Sequence, residues 1–295
     1  MKRKLISQRD SYTLTLPIKW IREHGLDKKG EVDIEEEKEG LFIKSLAIPK
    51  KSTEITIDSS NKKFVAYILN NLYRSGYDSV RINFKEKGIV KLVEEQIKLL
   101  LGWQIIEKKE NNILIDNLTE PTTEKFDVLF RRIFFIIKTD LDILEDSLKG
   151  IKLDIEEIEK GANEVVTLDN FCRRCISKRI VEKEKINFYW HFVSTLTWVH
   201  REIYSLLNYL SRKKIKNKEL LALTEKISKA FDFLHEGFFE KNFKKIESVF
   251  NITEEIQNQE EKLLKVCKNT LVYHKLLQIS RMINLLCSPC IGILT

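Results

Sequence analysis

Ser11-Tyr12-Thr13-Leu14-Thr15-Leu16-Pro17-Ile18-Lys19-Trp20-Ile21-Arg22-Glu23-His24-Gly25-Leu26 decides how the N-terminal part of this chain folds. Tyr12 to Leu16 alternates and is rich in β-formers, which predicts a strand. Pro17 then opens a short helix, where its missing N–H costs nothing, and the apolar positions Ile18, Trp20 and Ile21 carry it to His24 and Gly25. Gly25 can end that helix in the left-handed conformation. Upstream, the residues from Lys4 form a first strand. Downstream, Asp27-Lys28-Lys29-Gly30 reads as a turn before the strands Val32 to Glu35 and Leu41 to Ile43, with Gly40 between them. The order from Lys4 to Ile48 is strand, strand, short helix, strand, strand.

A segment this short holds few large apolar groups and would bury too little surface to offset the entropy of ordering it. A second copy completes the core most simply, so a homodimer is expected through this region.

Proline marks the joints between segments. Pro49 and Pro121 separate stretches of different periodicity, while Pro17 and Pro289 are expected at helix ends. Between Pro49 and Pro121, 53–118 reads as a small α/β domain. It has the strand Glu54 to Asp58, a helix with Phe64, Ile68, Leu69 and Leu72 on one face, and the strand Val80 to Phe84. A second helix with Val90, Val93, Ile97 and Leu101, capped at Gly102, precedes a hairpin of Trp103 to Ile106 with Ile113 to Ile115. After Pro121 the spacing is helical throughout. Phe126, Phe130, Ile133, Ile137, Leu141 and Leu144 recur at three and four, as do Val193, Leu196, His200, Ile203 and Leu207, and then Val272, Leu276, Ile279, Ile283 and Leu286. Breaks at Gly150, Lys183 to Lys185, Arg212 to Asn217, near Phe239 and at Asn269 predict six helices in two sets of three.

The 295 residues are 43% hydrophobic and 32% charged, with four prolines and ten glycines, as in globular domains with short connections. The net charge of +7 leans towards a polyanionic partner, although both signs are abundant. No unbroken apolar run reaches the ~20 residues that span a bilayer. The basic start at Lys2-Arg3-Lys4 has no apolar segment behind it. A cytoplasmic protein without stable membrane insertion is expected, and its five cysteines imply no disulfide framework.

The run Arg3-Lys4-Leu5, then Ser11 to Arg22, Gly25-Leu26 and Gly30-Glu31-Val32 resembles SpoVT/AbrB swapped-hairpin domains, in which two chains interlace into one barrel-like dimer. Arg74 to Arg81 and Leu100 to Glu107 look like the linker domain of archaeal PhoU-like regulators, and Phe126 to Phe134 resembles the opening helix of their PhoU domain. The resemblance implies a multidomain α+β protein in three parts. These are an AbrB β-barrel dimer (1–48), a small α/β middle domain (53–118) and an all-α PhoU-like six-helix bundle (121–295). It also implies a regulator of phosphate uptake whose partners are DNA, a second copy of itself and a phosphate transporter or signalling protein.

DNA contact needs cations set to meet phosphates along a duplex. Lys2, Arg3, Lys4 and Arg9 on the first strand and its turn, with Lys19 and Arg22 on the short helix, are the candidates, and a two-fold dimer presents each twice. Many AbrB-type domains carry a basic residue where Thr13 stands here. The acidic block Glu35, Glu36, Glu37 and Glu39 is expected on a face turned away from DNA.

The chain also departs from PhoU domains that bind metal clusters through carboxylates one turn apart. The matching stretches are Thr197 to Glu202 and Ser280 to Leu285; neither keeps its acidic pair, and Glu164 and Asp169 stand five apart. No metal and no cofactor are expected. A tetrahedral zinc site of Cys172, Cys175, Cys287 and Cys290 is the rival reading, against small buried cysteines between helices. His200 is expected as a core histidine satisfied by a neighbouring helix. Asp140, Asp142 and Asp146 are expected in ion pairs or solvent. No phosphate-binding glycine loop, nucleophile elbow or His-Glu-x-x-His is present, and no catalysis is expected. The alternative to a transcription regulator is an adaptor that docks through Phe188, Tyr189, Trp190 and Trp198, with the N-terminal fold serving dimerisation.

Overall fold

The computed structural model describes residues 2–27, 31–37, 40–45, 50–86, 88–213, 215–260 and 269–295. Lys28 to Gly30 of the expected turn, Glu39 of the acidic block, Ile48 and Pro49 lie outside them. The chain divides into two compact units, Met1–Lys51 and Ser52–Thr295: a small β-rich unit and a larger one dominated by helices.

In the first unit β1 (Leu5–Gln8) and β2 (Ser11–Leu14) form an antiparallel hairpin in the register Leu5↔Leu14 and Ser7↔Tyr12. Arg9 turns it at a φ of 48°. Pro17 caps α1 (Ile18–Glu23), and Gly25 follows it at a φ of 61°. A second hairpin pairs β3 (Val32–Glu37) with β4 (Gly40–Ser45), Ile34 opposite Ile43. Side chains alternate across a strand, so Leu5, Tyr12 and Leu14 share one face of the first hairpin, while Ile34, Leu41 and Ile43 share one face of the second.

Within the first unit neither face is covered by the described residues. Leu5 is 63% exposed, Tyr12 71% and Leu41 67%, against 5% for Leu26. Burial of each such side chain is worth roughly 1.5–3 kcal/mol, so this unit leaves most of its stabilising surface unused as a single copy.

The second unit opens with a four-stranded sheet in the order β5-β6-β8-β7. In it β5 (Ser52–Ile57) runs parallel to β6 (Ser79–Phe84), while β7 (Trp103–Lys108) and β8 (Asn112–Asn117) form an antiparallel hairpin. One face of the sheet (Ile57, Val80, Ile82, Phe84, Ile113 and Ile115) is buried in a core shared with α2 (Lys62–Arg74) and α3 (Gly88–Ile97). The buried stripes are Val65, Leu69 and Tyr73 on α2 and Ile89, Val93 and Ile97 on α3. Leu69, Val93 and Ile97 are buried as expected, while Val65, Tyr73 and Ile89 complete the stripes and Phe64 and Leu101 are exposed. Gly102 adopts its left-handed φ of 86° in the turn before β7 rather than as the cap of α3.

The long helices are α4 (Thr123–Lys149), α5 (Ile155–Ser177), α6 (Ile186–Ser211), α7 (Lys218–Phe239), α8 (Phe243–Asn258) and α9 (Thr270–Leu294). Thr122, Asp154, Asn217 and Asn242 cap their helices by accepting backbone N–H bonds, and Gly150 ends α4 at a φ of 97°. Phe126, Phe130, Phe134, Phe192, Phe231 and Phe238 stack and tilt against one another in the core between α4, α6 and α7.

Pro289 corrects the expectation of a helix end, because α9 continues through it to Leu294. The bond it forfeits is the one to the carbonyl of Leu285, an exposed residue. By length and composition α9 could cross a bilayer, with a mean hydropathy of 1.4 over 18 residues. Lys275 and Arg281 interrupt it, so no unbroken apolar run marks it in the sequence. Some 56% of that window is buried inside this unit, as in a core helix.

Candidate nucleic-acid interface

All six candidate cations are exposed on the N-terminal unit. Lys2, Arg3 and Lys4 precede β1, while Arg9 sits in the turn at its far end, roughly 13 Å away along four extended residues. The hairpin therefore separates these cations rather than gathering them, and spreads positive charge along its length. Lys19 and Arg22 project from α1, with Lys19 Nζ 3.8 Å from Glu23 Oε1 in a fully solvated pair. Thr13 is exposed opposite Ile6. No side-chain interaction competes with Lys4 or Arg22 among the described residues.

In the helical unit, the carboxylates in and near the stretches considered for metal are taken up by the protein's own cations. Glu164 pairs with Arg132 at 2.8 Å. Asp169, almost completely buried, accepts from Arg74 at 2.8 Å, Arg173 at 2.7 Å and the Thr197 hydroxyl at 2.8 Å. Glu202 holds Lys275 at 3.0 Å, and Arg201 lies over the Trp198 ring at 5.0 Å. In the second stretch Asn284 donates to Thr253 and Arg281 pairs with Glu260. Among the described residues no three His, Cys, Asp or Glu side chains are placed to hold one ion.

The four candidate cysteines are not brought together as a zinc site. Cys172 and Cys175 lie on α5, Cys287 and Cys290 on α9, and all are buried. Burial pushes the thiols of Cys175, Cys287 and Cys290 up to about 12 and that of Cys172 well above its usual value, the environment of inert thiols.

His200 is buried as expected, with Nε2 3.2 Å from Asp140 Oδ2 on α4. That is ion-pair distance without hydrogen-bond alignment, so Nε2 has no aligned partner. Asp140 faces that histidine at ion-pair distance, Asp146 pairs with Lys149, and Asp142 is exposed. Of the four docking aromatics, Tyr189 packs edge-on against Phe126, and Phe188 lies across Gly292. Phe188, Trp190 and Trp198 are exposed, with Arg173 over the Trp190 ring and Arg201 over that of Trp198.

Sequence reasoning missed the polar seam that joins α2 and the sheet to α5. Arg174 is fully buried; it donates to the carbonyls of Tyr73 and Tyr77 at 3.0 and 2.8 Å and to Asp78 at 2.6 Å. Lys178 meets both oxygens of Asp78 at 2.7 Å. The available signal was a charge inside an apolar helical stripe, between Phe171, Cys172 and Cys175.

Residues 8–54 match the family model described as antidote-toxin recognition MazE, bacterial antitoxin. This agrees with the AbrB-like reading of the N-terminal unit and does not extend to the helical unit. No curated protein and no solved structure matches the chain.

Proposed function

We propose that this protein is a DNA-binding transcription regulator acting by binding rather than catalysis. In this reading the N-terminal units of two copies form a swapped-hairpin dimer, and Lys2, Arg3, Lys4, Arg9, Lys19 and Arg22 of each meet phosphates. The observation that carries it is the pair of uncovered apolar hairpin faces on a basic unit whose sequence matches the MazE model. A second copy covers those faces and doubles the cations about a two-fold axis, as a pseudo-palindromic site requires. The helical unit, read as a PhoU-like bundle of two three-helix sets, senses or docks. Its link to phosphate uptake rests on the sequence resemblance.

The test is a salt titration of binding to the protein's own upstream DNA and to unrelated DNA. Log affinity should fall steeply with log salt, with tighter binding to the upstream fragment. Replacing Lys4, Arg9, Lys19 and Arg22 by Gln should reduce the slope by about 0.9 per lost phosphate contact. Absence of binding at low salt removes this reading and leaves the adaptor, which the exposed Trp190 and Trp198 favour as anchors for a transporter or signalling partner.

A further inference from the structure

A cleft of about 420 Å³ runs between α5 and α6, within the size range of small-molecule sites. Its walls follow from helical spacing: Glu159, Ala162, Asn163 and Val166 line one side, and Thr197, His200, Arg201 and Tyr204 the other.

Two features distinguish it from an ordinary groove. Its two full charges, Arg201 and Glu159, have no ion-pair partner among the described residues. Arg201 is held by the Trp198 ring alone, which leaves the edge of its guanidinium free. The floor is also fixed in advance. The Thr197 hydroxyl is tied to buried Asp169 at 2.8 Å, and His200 is held by burial with Nε2 3.2 Å from Asp140 but not aligned for a hydrogen bond. Val165, Val166 and Ala162 supply an apolar wall between them.

A purely anionic ligand would meet Glu159, and a purely cationic one would meet Arg201. A ligand bearing both charges satisfies each. We propose that this cleft binds a small zwitterion of the amino-acid type, its carboxylate on Arg201, its ammonium towards Glu159 and its side chain against the valine wall. This deepens, and rests on, the sensing role proposed for the helical unit; it makes no use of DNA binding.

The experiment titrates the full-length chain with the proteinogenic amino acids one at a time. Acetate and methylamine serve as single-charge controls. Thermal unfolding and tryptophan fluorescence are read together, and Trp198→Phe assigns the optical signal. At least one amino acid should raise Tm saturably and change the Trp198 signal, with neither control doing so. Arg201→Met and Glu159→Gln, both exposed positions, should each weaken that ligand about tenfold, as loss of one charged hydrogen bond does. The proposal is overturned if no amino acid shifts either readout, if acetate or methylamine shifts them equally, or if both variants bind like the parent. None of these arms contains DNA, so the DNA reading stands or falls separately.

Discussion

Asp78→Asn isolates the seam between the sheet layer and α5. Asp78 is 3% exposed and carries the only negative charge in contact with Arg174 and Lys178 among the described residues. Arg174 has no access to solvent, so the amide would leave a guanidinium buried without a counter-charge. Breaking a buried pair in this way costs about 3–5 kcal/mol. For a unit of this size each kcal/mol lowers Tm by roughly 2–4 °C, which puts the fall at about 6–20 °C. Lys178→Gln is the internal control. Lys178 is part-exposed, and its loss leaves Asp78 on Arg174, so about 1 kcal/mol is expected. Denaturant unfolding followed by circular dichroism gives both values on the full chain. If Asp78→Asn costs no more than Lys178→Gln, the argument that the buried charge dominates this seam is refuted.

Three other outcomes are expected from the same geometry. Leu41→Asp puts a charge on the uncovered face of the second hairpin and should abolish the proposed dimer, giving a monomer in sedimentation equilibrium where the parent sediments as a dimer, with the helical signal in circular dichroism intact. Alkylation of Cys172, Cys175, Cys287 and Cys290 at pH 8, mapped by mass spectrometry, should be negligible until denaturant is added; rapid labelling of any of them would contradict the burial that raises their pKa. His235 packs against Phe134 and Phe239; burial lowers its pKa, Lys138 and Arg131 add to this, and Asp232 and Glu236 oppose it. The unfolded chain then takes up a proton that the folded chain resists, so His235 contributes stability above its ordinary pKa that is lost as pH falls through it. His235→Gln should flatten the fall in stability between about pH 7 and 5, where an unperturbed histidine titrates.

The elements of this chain were legible because their signals are local. Alternation in Tyr12 to Leu16, Pro17 at a helix start and the recurrence of Phe126, Phe130 and Ile133 each report backbone periodicity, which neighbouring residues determine. The helices break at Gly150, Lys183 to Lys185 and Asn269 for the same reason. Pro289 behaves differently, because whether a helix tolerates a proline depends on what can reach the freed carbonyl. The stripes of α2 and α3 were legible only in part, at Leu69, Val93 and Ile97, because one sequence offers two adjacent apolar faces and the partner surface chooses between them.

The candidate sites divide along the same line. Sequence alone determined that the first unit is strand-rich, opens on a basic run and carries few large apolar groups. Those properties are sums over residues and need no coordinates. The tertiary structure decided which long-range partners each charge acquires. It placed Asp169 between Arg74, Arg173 and Thr197, sealed Arg174 on Asp78, kept the two cysteine pairs on separate helices and left Arg201 and Glu159 facing one cleft. Whether a carboxylate binds a metal, a neighbouring cation or a ligand depends on what packs within a few ångströms of it, and residues close in space here stand about a hundred positions apart in sequence.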